Sequence, residues 1–160
     1  MGAFLLALEI EPVLVNKVYV ALPLHCTVVH WFRSNKSPAN VLTAITDIVQ
    51  QQAPIELVSG APDLFGVDKD VPVNLLVNEQ EVHDFHARLH DALQEMGITD
   101  VSVQWTKDGF TPHVTRQKSG RFETGRSFTA TKLYLVEAMM ADKLQQKKVI
   151  AKILLGRGKS

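Results

Sequence analysis

Two tripeptides of the same form, His25-Cys26-Thr27 and His113-Val114-Thr115, lie in different halves of this chain. Each lies within a run of β-branched, aromatic and other apolar residues, which is typical of a β-strand. Successive side chains of a strand point to opposite faces, so residues two apart share a face. The sequence therefore predicts two strands that each present an imidazole and a hydroxyl on one face, with Cys26 and Val114 facing a core on the other.

The remaining pattern predicts a β-rich chain with two amphipathic helices. The first helix, at 38–52, has Ser37 as its N-cap and Pro38 at its first position. The second, at 81–96, carries apolar residues at spacings of three and four and ends before Gly97. The predicted strands, which share runs of apolar residues, are 3–10, 13–22, 24–32, 54–58, 71–77, 101–105, 113–117, 129–138 and 148–155. Gly- and charge-containing loops are predicted between Val58 and Val71 and between Gln117 and Phe128.

A strand–helix–strand pattern occurs once in each half of the chain. We therefore expect an α+β fold in a single domain over residues 1–155, with two similar lobes that face each other. Residues 156–160 are expected to form a flexible tail. The tail ends like a phosphate-binding loop, but Ile153 stands where the first Gly of that motif belongs.

The charge balance limits the ligands that this chain can hold. Lys and Arg number 17, Asp and Glu number 17, and the formal net charge is zero. This argues against a protein that grips long duplex nucleic acid, because each phosphate contact needs a cation. The one cysteine excludes an internal disulfide and a Cys-based zinc site, and it fits a cytoplasmic location. The first apolar run stops at Glu9, which is too short for a membrane span.

Two imidazoles and two hydroxyls suit the cleavage of a phosphodiester. One histidine can take a proton from the attacking oxygen while the other gives a proton to the leaving oxygen, and a pKa near 6.5 permits both roles. The Thr hydroxyls can donate hydrogen bonds to the non-bridging phosphate oxygens, where charge develops. This scheme requires no metal ion.

The pair of motifs, with Pro112 before the second histidine, resembles the 2H phosphoesterase superfamily. That family includes 2'-5' RNA ligase-like proteins and cyclic nucleotide phosphodiesterases. The resemblance implies a bilobal α+β fold in which two antiparallel-rich sheets form a concave cleft, with helices packed outside. It implies that His25 and His113 are the acid and base, that Thr27 and Thr115 bind the phosphate, and that neither a metal nor a nucleotide cofactor is used.

This chain departs from the family pattern after each motif. Val28 stands where Leu is usual, and Arg116 stands where an apolar residue is common. We expect these departures to affect the choice of substrate more than the chemistry.

Other cysteine and histidine residues have competing interpretations. Cys26 is either a nucleophile or a core thiol, and its place between two outward-facing residues favours the core. His30 is an odd number of residues from His25, so we expect it on the opposite face. His83, His86 and His90 lie on one flank of the second helix, where they either bind a metal or form a solvated flank; the flank is the default.

Further residues are candidates for substrate binding. Arg116, Lys118 and Arg121 follow the second motif, and either hold substrate phosphates or lie in a solvated hairpin tip. Four aromatic residues either stack on a nucleobase or belong to the core: Tyr19, Trp31, Phe110 and Tyr134. Glu137 either orients a histidine or a base, or lies solvated at a strand end.

The sequence predicts a metal-independent phosphodiesterase that acts on a small nucleotide. Its substrate class is a 2',3'-cyclic phosphate, a 2',5'-linked oligonucleotide or a cyclic oligonucleotide signal. One alternative is an RNA-end enzyme that opens terminal cyclic phosphates or performs 2'-5' ligation. Another is a non-catalytic module that sequesters a nucleotide. We expect a cytoplasmic monomer without a membrane partner.

Overall fold

The computed structural model of this protein describes residues 2–77, 79–99, 106–140 and 143–156. The strands are β1 Gly2–Glu9, β2 Val18–Tyr19, β3 His25–Ser34, β4 Ile55–Phe65, β5 Val71–Leu76, β6 His113–Thr115, β7 Ser127–Ala130, β8 Lys132–Met140 and β9 Lys143–Leu154. The helices are α1 Pro38–Gln51 and α2 Glu79–Met96, and a short 3-10 helix spans Lys107–Gly109. The strand predicted at 101–105 and the tail beyond Gly156 lie outside the described residues.

The strands form one antiparallel sheet in the order β2-β9-β8-β1-β3-β6-β5-β4-β7, and this sheet curls into a half-barrel. Both helices pack on one face of it, with α2 against β3 and α1 against β8 and β9. This confirms the expected α+β fold. The structure has one continuous sheet where two were expected, and its two halves meet where β3 pairs with β6.

The inner faces of the helices form the main core with one face of the sheet. On α1 and α2 the buried apolar residues are Val41, Ile45, Val49, Val82, Phe85, Leu89 and Leu93. Alternate residues of β1, namely Phe4, Leu6 and Leu8, join them from the sheet. A smaller cluster on the opposite face contains Leu5, Ala7 and Tyr134. The sheet therefore buries apolar side chains on both of its faces beside β1. Neither α1 nor α2 has the length and apolar character that crossing a membrane requires, and no other α-helix occurs in the described ranges.

The two histidine motifs meet at the junction of the two halves. Cys26 pairs with Val114 in the antiparallel ladder, and both side chains are buried in the main core. In an antiparallel pair this register sets His25 opposite Thr115 and Thr27 opposite His113. The imidazoles and hydroxyls of both motifs therefore share the face of the sheet that lies away from the helices.

A bulge in β3 follows the first motif and is held by α2. Ala7 pairs with Thr27 but Leu6 pairs with Val29, so Val28 is an extra residue in β3. His86 Nδ1 lies 2.6 Å from the Val28 carbonyl oxygen, and the Lys107 amide donates to His86 Nε2 at 3.0 Å. His86 thus links the helix, the bulge and the 3-10 helix through both of its ring nitrogens.

Three segments differ from their sequence-based prediction. Most of 13–22 is not a strand, because the chain turns at Asn16, whose φ is 71°, and only β2 pairs, at the sheet edge with β9. The loop predicted after Val58 is largely the far part of β4, which continues to Phe65 despite Gly60 and Pro62 because the register shifts there. The single strand predicted at 129–138 is two strands: β7 pairs with β4, and β8 pairs with β1 in the other half.

The buried, neutral state of His86 predicts a pH-dependent stability. Burial lowers the pKa of His86 to about 4, whereas an unfolded histidine titrates near about 6.5. Between these two pKa values the unfolded chain binds a proton that the folded chain does not, so the free energy of unfolding falls as the pH falls. Urea unfolding at several pH values measures this slope, and His86→Gln should reduce it. An identical slope in the wild type and the variant would contradict this role of His86.

Candidate active site

Each motif histidine is oriented by a hydrogen bond of the same kind, from its Nδ1 atom to the backbone carbonyl two residues earlier. His25 Nδ1 lies 2.8 Å from the Pro23 carbonyl oxygen, and His113 Nδ1 lies 2.7 Å from the Thr111 carbonyl oxygen. A carbonyl oxygen only accepts, so Nδ1 carries the proton and donates in each case. In the neutral ring this leaves the lone pair on Nε2, which can accept a proton from a substrate or water.

The pairing of β3 with β6 sets the spacing of the two imidazoles. His25 lies directly opposite Thr115, so His113 is its diagonal neighbour, two residues from the direct partner. Such diagonal positions lie about 7–8 Å apart across an antiparallel pair. A positive charge on His113 lowers the pKa of His25, which shows that the two rings interact. A half-buried Thr of the other strand lies opposite each histidine.

Burial is the main influence on both imidazoles. It lowers the pKa of His25 and of His113 below the ordinary histidine value, while the hydrogen bonds to Pro23 and Thr111 act in the opposite direction. Both rings are therefore favoured in the neutral form. A bound anion between them would favour protonation of one ring, because an opposite charge within a few ångströms stabilises imidazolium.

Neighbouring rings enclose the two histidines. Phe65, at the end of β4, lies edge-on to His113 with ring centroids 4.6 Å apart. The His30 ring stacks 6.1 Å from His113, and the Tyr134 ring lies edge-on to His25 at 6.5 Å. The expectation that His30 faces away from the motif residues is wrong, since His30 and Trp31 both oppose Leu5 where β3 bulges again.

Sequence reasoning missed Phe65 and Lys147. Phe65 falls in a predicted loop, and only the curl of the β4–β5 hairpin brings it to His113. Lys147 on β9 donates to the Val20 carbonyl at 2.7 Å, and its charge lowers the pKa of His25. No local sequence signal marks Lys147, because its place depends on the pairing of β9 with β2 and β8.

Three of the predicted substrate contacts are not available for that role. Phe110 is 3% exposed and stacks on His86 at 4.1 Å, and Tyr134 is completely buried, so neither ring can stack on a base. Glu137 pairs with Phe4, whose side chain lies in the main core under the helices, so Glu137 is on the opposite face from the motif residues. The alternation of side chains along β8 separates Tyr134 from Glu137 in this way.

The other predicted contacts lie around the motif strands. Arg116 and Arg121 line a cavity of about 560 Å³ beside the β4–β5 hairpin, together with Lys69. Tyr19 and Lys118 line a second cavity, of about 410 Å³, beside Pro23. Trp31 is half-buried and packs against the cluster of Leu5, Ala7 and Tyr134 on the motif face.

Burial decides whether Cys26 is a nucleophile or a core thiol, and it also bears on whether the histidines of α2 form a solvated flank. Burial raises the pKa of the Cys26 thiol to about 12, so it is a core residue and not a nucleophile. His86 and His90 are buried, so the expected solvated flank is wrong. Both nitrogens of His86 are occupied by backbone groups, and the described ranges contain no set of three His, Cys, Asp or Glu residues arranged to hold a metal.

The chain matches one protein-family model and is similar in fold to several solved structures. The family model of the 2'-5' RNA ligase superfamily matches residues 8–144, which include both motifs. The protein TT0787 of Thermus thermophilus is similar in structure, with a TM-score of 0.68, 16% identity and full coverage of both chains. A structure described as a phosphoesterase has a TM-score of 0.63 and 12% identity, and covers 98% of this chain and 99% of its own.

Escherichia coli LigT is also similar. Its complex with 3'-AMP has a TM-score of 0.61 and 12% identity, and its complex with NADP+ has a TM-score of 0.57 and 13% identity; each alignment covers 97% of this chain and 98% of LigT. At this level of identity the structural likeness shows the fold alone. A search of curated protein sequences gives no match.

The electrostatics of His25 predict the effect of removing Lys147. Both imidazoles should titrate below about 6.5, and Lys147→Gln should raise the pKa of His25 because it removes a nearby positive charge. Lys148→Gln is the matched control, since Lys148 pairs with Glu137 on the adjacent strand. Histidine-selective NMR titration measures both values. An unchanged His25 pKa in Lys147→Gln, or an equal rise in the control, would contradict the proximity of Lys147 to His25.

Proposed function

Because this chain belongs to the 2'-5' RNA ligase superfamily, we propose that it is a metal-independent phosphodiesterase that cleaves a small nucleotide phosphodiester. The observation that carries the proposal is the matched orientation of His25 and His113. Each donates from Nδ1 to a backbone carbonyl, and the register of β3 and β6 puts both on one face. Two imidazoles held in this way provide the acid and the base that the reaction needs.

The proposed mechanism uses the two Nε2 atoms on opposite sides of the phosphate. One neutral imidazole accepts the proton of the attacking oxygen, and the other, as imidazolium, protonates the leaving oxygen. The hydroxyls of Thr27 and Thr115 donate to the non-bridging oxygens as negative charge builds on them. The same groups exchange roles in the reverse direction, which would join a 2'-hydroxyl to a phosphate.

A small nucleotide is the substrate that the charge distribution supports. The chain has no net charge, and the motif face carries the neutral imidazoles and hydroxyls together with Lys147. The structures of LigT with 3'-AMP and with NADP+ provide a precedent for a small nucleotide on this fold. Candidate substrates are a 2',3'-cyclic phosphate, a 2',5'-linked oligonucleotide and a cyclic oligonucleotide.

Substitution of the four motif residues tests the mechanism. His25→Gln and His113→Gln should each lower kcat/KM by about 10²–10⁴-fold, the usual value of one acid or base. Thr27→Val and Thr115→Val keep the side-chain shape and should cost about 10- to 100-fold, because each removes a hydrogen bond to a charged group. Hydrolysis of the candidate substrates is measured in EDTA, with products read by mass spectrometry.

The controls for these variants separate catalysis from folding and from binding. His83→Gln changes a histidine outside the site and should keep wild-type activity. The pH profile of kcat/KM should be bell-shaped with its maximum below about pH 6.5, because burial lowers both pKa values and the maximum lies between them. Full activity in both histidine variants would refute the mechanism. Tight nucleotide binding by the wild type without any turnover would support the sequestering module instead.

A second candidate is an enzyme of RNA ends, which the cavity beside the β4–β5 hairpin supports. Lys69, Arg116 and Arg121 line this cavity together with Asp63, and none of the three cations makes an ion pair with another described residue. Arg116 directly follows Thr115, so the first of these cations lies one residue beyond the second motif. Cations without a carboxylate partner suit the phosphates of a single strand.

The double variant Arg116→Gln/Arg121→Gln distinguishes the two candidates. For an RNA oligomer that ends in a 2',3'-cyclic phosphate, KM should rise about tenfold or more and depend less on salt, since two phosphate contacts are lost. For the corresponding mononucleotide, KM and kcat should stay at wild-type values. Equal effects on the oligomer and the mononucleotide would exclude this route for RNA.

A further inference from the structure

A second cavity adjoins the motif strands at the end where His25 and Thr115 lie. Pro23, whose carbonyl oxygen holds His25, forms one wall of it, and Gln117, two residues after Thr115, forms another. The volume is about 410 Å³, which falls within the range of small-ligand sites. None of the four motif residues lines it, so a group attached to a phosphate between the two histidines would extend past Pro23 to reach this cavity.

Much of the lining of this cavity suits a flat group, and Glu11 and Lys118 contribute one charge of each sign. Pro12, Leu22 and Pro23 provide apolar surface, and Tyr19 provides an aromatic ring. The ring of Tyr19 is held in place, because the Leu14 amide donates to its hydroxyl at 2.9 Å and the ring packs against the smaller core cluster. Lys17 Nζ lies over the ring, 5.0 Å from its centroid, so a base that stacks on that face takes the place of an exposed lysine side chain. A fixed aromatic ring among apolar walls favours the stacking of a nucleobase.

The polar wall of the cavity selects among bases. Glu11 Oε1 accepts hydrogen bonds from the Leu24 amide at 2.8 Å and from the Ser119 hydroxyl at 2.5 Å. These bonds lower the pKa of Glu11 and keep it as a carboxylate. The second carboxylate oxygen has no hydrogen bond to any residue in the described ranges. It can accept from an amino group, whereas it would repel a second phosphate or a base edge made of carbonyl oxygens.

We propose that this cavity is a nucleobase subsite, in which Tyr19 stacks on the base and Glu11 accepts from an exocyclic amino group. The subsite would prefer adenine, guanine or cytosine to uracil. The inference rests on the proposed function only in that it takes the phosphate to lie between His25 and His113. It also gives the substrate a direction, with the base on the side of His25 and Thr115.

Binding measurements test this subsite without requiring turnover. The probes are 3'-AMP, 3'-UMP and the base-free analogue methyl riboside 3-phosphate, measured by calorimetry. Wild type should bind 3'-AMP more tightly than either of the other two. Tyr19→Leu should weaken 3'-AMP binding by about 5- to 100-fold and leave the base-free analogue unchanged. Tyr19→Phe keeps the ring and should bind 3'-AMP within about twofold of wild type.

A second pair of variants tests the carboxylate. Glu11→Gln keeps an acceptor for the Leu24 amide but removes the negative charge, so the preference for 3'-AMP over 3'-UMP should fall. Ser119→Ala breaks the hydrogen bond to Glu11 without changing the charge, and should keep the preference. The subsite is refuted if wild type binds the base-free analogue as tightly as 3'-AMP, if it binds no 3'-AMP at millimolar concentration, or if Tyr19→Leu affects all probes equally. Failure of the proposed function would be seen separately, as base-selective binding with no hydrolysis.

Discussion

The pairing of Cys26 with Val114 joins the two halves of the sheet, and the geometry of the active site depends on it. The two segments are far apart in the sequence, so their contact is made at a large cost in chain entropy. Burial of both apolar side chains in the core under the helices offsets part of that cost. Because the pair is antiparallel, each histidine then lies opposite a threonine of the other strand. One backbone register therefore brings together an imidazole and a hydroxyl from each half.

Backbone hydrogen bonds and burial set the tautomer and the charge of the two imidazoles, to which the proposed mechanism gives opposite roles. The carbonyl groups of Pro23 and Thr111 fix the tautomer of His25 and His113, so that each presents Nε2 to the same face. Burial favours the neutral ring in both, and the arrival of a phosphate anion favours protonation of one. In the proposed mechanism the substrate thus helps to create the acid that its own leaving group requires. Neither histidine needs a carboxylate partner for this, which agrees with a site that adds little charge to a neutral chain.

A net charge of zero hides an uneven distribution of charge around this site. One neighbouring cavity contains Glu11 and Lys118 among aromatic and apolar walls. The other, beside the β4–β5 hairpin, contains Lys69, Arg116 and Arg121 with the single carboxylate of Asp63. In our proposals the first cavity holds a base and the second holds phosphates, so that a nucleotide substrate would be oriented by both. A neutral composition argues against a protein that grips long nucleic acid, but it contains no information about such a local separation of charge.

The periodicity of the sequence determined the two helices, most of the strands, and the shared face of His and Thr in each motif, because these patterns are local. It did not determine which strands pair. The β4–β5 hairpin curls Phe65 onto His113, β9 brings Lys147 near His25, and the bulge at Val28 draws His86 into the core, and each contact joins distant segments. From the sequence, a residue such as Tyr134 is compatible with either a core position or a contact to a ligand, and only the packing decides between them. The sequence thus specified the chemical groups and their strand faces, and the tertiary structure decided which groups meet, because strand register and burial are properties of the assembled sheet.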